Sequence, residues 1–340
     1  MDNLPQEVLE CIIDSLAAIC IEEITAGATR NACLRSACLV SKRWIGSAQR
    51  ALYRIVDIGN DAQARMFIQS DASRKWQIHD LTLSSSPSLS AEMVAAILDI
   101  TPGIKTLDLN TLTTELHEAH LVCPSLSKLE ILLINRPLVY MPFYEPPFPF
   151  RHLRRLVLGN RDYPPHFVQI LLTISSQTLT SLTFAVGSSS PGFKALLEHF
   201  CLVAPNLRDL GLWWTPASAN ARYSLSVSTE ESALSLMPDL STCHELTAFR
   251  LVGYPPSMTG LATLLSNLPG KGKLKHVQTF SYHLRGEAYF ELARCVRLPQ
   301  LEGLKSWQHT TPSEVAITSQ GFSTFVKECV KRHIRISTPY

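Results

Sequence analysis

One six-residue pattern, apolar-x-x-apolar-x-apolar, recurs along most of this chain and limits what it can become. It reads "IHDLTL", "IKTLDL", "LSKLEI", "LRRLVL", "LTSLTF", "LRDLGL" and "LTAFRL", with weaker copies "LKHVQT" and "LEGLKS". The copies begin at Ile78, Ile104, Leu126, Leu153, Leu179, Leu207, Leu246, Leu274 and Leu301, at intervals of 26, 22, 27, 26, 28, 39, 28 and 27 residues. The last three positions alternate, as a strand with one buried face does. Between them lie helical stripes: Phe167, Ile170, Leu171 and Ile174; Phe193, Leu196, Leu197 and Phe200; Tyr289, Leu292, Ala293 and Val296. Neither a single short strand nor a single helix can bury its apolar side alone, so the copies must stack on one another.

Self-similarity at this period, with this pattern, is the mark of leucine-rich repeats. The expected fold is α/β: a solenoid over residues 56–340 with a curved parallel sheet and helices outside. The copies lack a regular Asn after the strand, so they are degenerate. The 22-residue interval lacks room for a full helix, and the 39-residue interval holds an insertion. There "TPASANARYSLSVS", 215–228, reads as a loop, Ser228 and Glu231 as a capping box, and Ala233, Leu236, Met237 and Leu240 as a helix. "FSTFVKECV" near the end is amphipathic and closes the last edge. "RPLVYMPFYEPPFPF", 136–150, is too proline-rich for a helix and reads mainly as packing in the short repeat.

Strand positions that alternate with core leucines turn to the concave side. They are Asp108, Lys128, Glu130, Arg155, Asp209, Trp213 and Arg250. Mixed charge with a tryptophan makes a candidate surface for a protein target. Near Leu274 the register is ambiguous, because Phe280, Tyr282 and Leu284 alternate on the other phase.

The amino-terminal stretch differs. In "LPQEVLECIIDSL", Pro5 suits a first helical turn and Glu7 lies near the positive end of the helix dipole. Val8, Leu9, Ile12, Ile13 and Leu16 form a broad apolar stripe. Residues 17–31 look partly loop-like around Gly27. A second helical stretch, 32–54, aligns Leu34, Ala37 and Cys38, and then, after a capping Ser41, Trp44, Ala48 and Leu52. Leu4-Pro5-x-Glu7-Val8-Leu9, followed by Leu39-Val40-Ser41-Lys42-Arg43-Trp44, resembles the F-box, and "ALYRIVDI" resembles its fungal members. The likeness covers residues 1–55.

That resemblance implies a small helical module that docks on a Skp-type adaptor and, through it, a cullin. The residues it assigns to the adaptor are Leu4, Pro5, Val8, Leu9, Ile12, Ile13, Leu16, Leu39, Val40 and Trp44. The chain would then be the substrate receptor of an SCF-type ubiquitin ligase, acting by proximity, with all chemistry on other subunits. The alternative is an interaction scaffold outside any ligase.

The remaining sequence argues against other classes. A net charge of +2, from 31 basic and 29 acidic residues, gives no reason to expect nucleic acid or an anionic membrane as partner. The first residues lack a signal-peptide pattern. Nine scattered Cys, never spaced Cys-x-x-Cys, fit reduced thiols in the cytoplasm or nucleus. No nucleophile elbow, phosphate loop or dinucleotide fingerprint occurs, so no enzyme activity and no cofactor are expected. "ELHEAHLVC", with Glu115, His117, Glu118, His120 and Cys123, reads as an exposed connector rather than a metal site, and "KGKLKH" as a solvated turn.

Overall fold

The computed structural model describes residues 5–19, 26–70, 75–84, 89–112, 116–135, 138–139, 149–159, 163–186, 191–214, 237–253, 258, 260–270, 272–280, 284, 286–309 and 317–337. They group into two compact units, one from Met1–Leu129 with Glu145–Pro149, the other from Glu130–Tyr144 with Phe150–Tyr340. The 215–236 insertion, Ser228 and Glu231 included, and most of 136–148 lie outside the described residues.

The first unit starts with three helices, α1 (Gln6–Ile19), α2 (Ala26–Val40) and α3 (Lys42–Arg54). Gly27 lies inside α2 rather than in a loop. Ile13, Leu34, Ala37, Ala48 and Ala51 form the core, with Cys38, Trp44 and Leu52 packed against it. Three of these five are alanines, which lets α2 and α3 approach closely. Ser41 caps α3 by accepting from the Arg43 N–H at 3.1 Å, a contact of about 1 kcal/mol. Gln6 Nε2 donates to Ser47 Oγ at 3.0 Å and ties α1 to α3.

Strand β1 (Ile55–Ile58) follows α3 without a linker. After it come α4 (Asp61–Gln69), β2 (Asp80–Leu83), α5 (Ala91–Ile100), β3 (Thr106–Leu109) and β4 (Leu116–His117). β1, β2 and β3 are parallel, pairing Val56 with Leu81 and Leu81 with Leu107. The ladder therefore begins at Ile55, one repeat before the first sequence copy. Two 3-10 helices, Glu118–Val122 and Pro124–Lys128, stand where the next α-helix would be.

The second unit contains β5 (Ile131–Ile134), β6 (Leu138–Val139), β7 (Arg155–Leu158), α6 (Pro165–Ile174), β8 (Ser181–Val186), α7 (Pro191–Val203), β9 (Asp209–Trp214), β10 (Ala248–Val252), α8 (Leu261–Ser266), β11 (His276–Phe280), α9 (Ala288–Arg297), β12 (Ser306–His309), α10 (Gln320–Lys331) and β13 (Arg335–Ser337). Eight strands run in the order β5-β7-β8-β9-β10-β11-β12-β13, and all their pairings are parallel. From β5 to β12 one face of each strand of this ladder is buried, as Leu132, Leu156, Leu182, Leu210, Phe249 and Trp307 show, while β13 at the edge is only half-buried. That face meets the helices: Phe184 of β8 lies 6.2 Å from Phe193 of α7, and Trp307 of β12 meets Phe325 of α10 edge-on at 5.6 Å.

Backbone pairing corrects two sequence registers. Leu132 pairs with Leu156, so that repeat starts at Leu129, not Leu126. "LSKLEILLI" satisfies the pattern in both frames, and the observed frame buries Leu132 and Ile134. Likewise Trp307 pairs with Val277, so the last strong repeat starts at Leu304, not Leu301. Near Leu274 the ambiguity resolves with Val277 and Thr279 inside and Phe280 half-buried.

Helix α8 is short and follows Gly260, whose φ of 83° places it in the left-handed region, with no side-chain cap of its own. Glu291 of α9, only 8% exposed, supplies the missing acceptor. It accepts from the Ala262 N–H at 3.1 Å and from Arg294 at 2.9 Å. Glu291→Ala leaves a buried N–H unpaired and is expected to cost about 1–3 kcal/mol in urea unfolding, whereas Glu291→Gln keeps the acceptor and should cost less.

Candidate functional site

Two surfaces carry the residues singled out in the sequence, one in each unit. In the first, the apolar stripe of α1 divides. Leu9 and Ile13 are 1% exposed and belong to the interior, so neither is free to touch an adaptor. They are core residues because helix packing consumes that side of the stripe. Ile12 and Trp44 are half-buried, and Pro5 is exposed. Leu4 and the Leu16 side chain lie outside the described residues. Val8 is 41% exposed, Leu39 87% and Val40 58%. Leu39 and Val40 end α2, immediately before the Ser41 cap. An aliphatic pair at that exposure forgoes about 1.5–3 kcal/mol of burial per side chain.

In the second unit the candidate surface is the sheet face opposite the helices. Asp209 starts β9, Arg250 lies mid-β10 and Ser181 starts β8. Arg250 grips both oxygens of Asp209, Nε donating to Oδ1 at 3.3 Å and Nη2 to Oδ2. Ser181 Oγ also donates to Oδ2, at 3.0 Å. Gly211, opposite Arg250 in register, makes room for the Thr183 side chain, whose Oγ1 would lie 2.6 Å from a Cβ there. The pair is 33% and 27% exposed, so solvent weakens it. A double-mutant cycle on Asp209 and Arg250 should give a coupling of about 0.5–1 kcal/mol in thermal unfolding.

Trp213 pairs in register with Ala185 of β8. Its ring extends to β7, where a Cβ on Gly159 would lie 3.1 Å from ring carbon Cζ3. The indole thus lies across small residues and is itself half-buried. Arg155 is exposed at the start of β7, separated from Asp209 by Ser181.

Three other expected positions fall elsewhere. Lys128 ends a 3-10 helix and Glu130 precedes β5, because the repeat register is shifted; the open-face residues there are Ile131 and Leu133. Asp108 belongs to the first unit, where burial raises its carboxyl pKa and Asp57 adds to the rise, while the Asn110 N–H at 2.9 Å opposes it. Cys123 of the "ELHEAHLVC" stretch donates its thiol to Asp99 Oδ1 at 2.7 Å; burial, with Asp99, pushes its pKa up to about 11. Among the described residues no three His, Cys, Asp or Glu side chains converge as metal ligands, and no helix is long and apolar enough to cross a membrane.

The ladder of parallel strands with helices on one face, at intervals of about one repeat, decides the architecture of the repeats. The fold is leucine-rich-repeat-like. No family model matches the chain, and no curated protein matches it. Among solved structures, the leucine-rich repeat-containing protein LegL7 from Legionella pneumophila aligns at 13% identity and a TM-score of 0.39, over 85% of this chain and 86% of that one. The open face described above is the accessible side of that sheet.

Proposed function

We propose that this chain is the substrate-recognition subunit of an SCF-type cullin–RING ubiquitin ligase. The first three helices bind a Skp-type adaptor and, through it, a cullin, while the open sheet face of the second unit holds the protein target. What supports the adaptor half is Leu39 and Val40, 87% and 58% exposed within the "LVSKRW" block that resembles the F-box. What supports the target half is the accessible Arg250–Asp209 pair beside Trp213. Arginine and tryptophan are the residue types that most often dominate interface energetics. The chain contributes no catalytic residue; it raises the effective concentration of target near a ubiquitin-charged enzyme. Such work belongs in the cytoplasm or nucleus.

The test is reconstitution. Full-length chain co-expressed with a Skp-type adaptor and a cullin should co-purify as one complex, and a protein captured by the chain in cells should gain ubiquitin when that complex is supplied with charged enzyme. A chain that captures partners but never the adaptor would be a scaffold instead.

A further inference from the structure

A row of basic residues runs across the second unit at the amino-terminal ends of its strands. A single backbone hydrogen-bond ladder defines the row. Arg154 N–H donates to the Glu130 carbonyl, Thr180 to Arg154, Arg208 to Thr180, Thr247 to Arg208, Lys275 to Thr247 and Lys305 to Lys275, all at 2.8–2.9 Å; on the last strand Arg335, paired with Ser306, continues the row one position along. Four of these first seven residues are basic and the one acid, Glu130, stands at the end. Arg154, Arg208, Lys305 and Arg335 are exposed; Lys275 is half-buried. At about 4.8 Å per strand, Arg154 and Arg335 lie about 29 Å apart.

That neighbouring position, which Arg335 shares, also holds exposed Arg155 and His276, the latter bonded to Ser306 Oγ at 2.8 Å. Acids beside the row are largely occupied. Asp209 is held by Arg250, and Lys273 bonds Glu245 at 2.7 Å, holding its carboxyl below the usual range with help from Arg208. Glu302 is exposed in the turn before Lys305. Thr180 and Thr247 fold their hydroxyls back onto the carbonyls of Arg154 and Arg208, at 3.3 and 2.9 Å, so the neutral slots between the arginines are short.

We propose that this row binds an extended acidic polypeptide segment of the target. The proposal rests on the reading of this unit as the target-holding part of the chain. At about 3.3 Å per residue, about nine extended residues span the row, and carboxylates along them face the exposed basic heads, while Lys275 Nζ donates to the Gly272 carbonyl at 2.6 Å. A line of charge one residue wide suits a peptide. A nucleic acid would call for stacking aromatics among the basic residues, and every member of the row is basic, hydroxylic or acidic.

The probe is a fluorescein-labelled nonapeptide of alternating Glu and Ser, titrated into the full chain and followed by anisotropy. Its Gln/Ser counterpart and a single-stranded oligonucleotide of equal charge serve as comparisons. The Glu peptide should bind at least about ten-fold more tightly than the Gln peptide, and the gap should shrink as salt rises past about 0.15 M, where the screening length falls to about 8 Å. Lys305→Glu with Arg335→Glu, and independently Arg154→Gln with Arg208→Gln, should each weaken the Glu peptide by about ten-fold or more. Equal binding of the two peptides, no change in both variant pairs, or tighter binding of the oligonucleotide overturns the proposal. Adaptor capture should survive in both variant pairs. If adaptor capture fails in the unaltered chain while the Glu peptide still binds, the ligase reading falls and the acidic-segment site stands.

Discussion

Trp307→Ala is expected to destabilise the second unit by about 3–5 kcal/mol, the largest effect of any single change considered for this chain. The indole is 0% exposed. Its Nε1 donates to Thr279 Oγ1 of the adjacent strand at 3.0 Å, and Thr279 is equally buried. The ring meets Phe325 edge-on at 5.6 Å, and Phe325 in turn lies 5.9 Å from Tyr289 and 5.8 Å from His309. Removing the indole leaves a cavity in this aromatic cluster and a buried threonine hydroxyl without its donor. Trp307→Phe restores much of the volume but not the hydrogen bond, so about 1–2 kcal/mol should remain lost. Urea unfolding of the full chain, followed by tryptophan-independent circular dichroism, measures both. A loss under about 1 kcal/mol for the alanine variant would mean that the cluster is not a single packed body.

The second large effect is on binding. Leu39→Asp with Val40→Asp should weaken capture of a Skp-type adaptor by at least about 100-fold, since two buried aliphatic contacts and two desolvated charges are at stake. Because both side chains face solvent in the free chain, thermal unfolding should hardly move. Leu9→Asp makes the contrast. Leu9 is 1% exposed, so its replacement should also end adaptor capture, but by unfolding the helices, with loss of helical circular dichroism. If the Leu39/Val40 variant binds the adaptor as tightly as the unaltered chain, these helices serve another purpose.

Much of this was legible beforehand. The stripes over "HFVQILLTI" and "FKALLEHF" became α6 and α7, and "FSTFVKECV" became α10. Leucines at the fourth and sixth positions of the copies went inside, as Leu81 and Leu83 or Leu210 and Leu212 show. The alternation of Arg250 and Trp213 with buried neighbours placed both on the accessible face. By contrast, Trp307 was hidden by a register three residues off, and the basic row was invisible as a run because Arg154, Arg208, Lys275, Lys305 and Arg335 follow one another at intervals of 30 to 67 residues in the chain.

Periodicity is a local property, and the sequence determined whatever depends on it: short strands with one apolar side, amphipathic helices between them, and hence stacked parallel repeats. Register is not local. "LSKLEILLI" satisfies the pattern in two frames and "LEGLKSWQH" completes it in neither, so only the carbonyls and N–H groups of the adjacent strand choose between frames. The same holds for the α1 stripe. Val8, Leu9, Ile12 and Ile13 are equally apolar, yet Leu9 and Ile13 are buried, Ile13 against α2 and α3, while Val8 remains at the surface. Which apolar residues become core and which remain for a partner was decided by what packed against them.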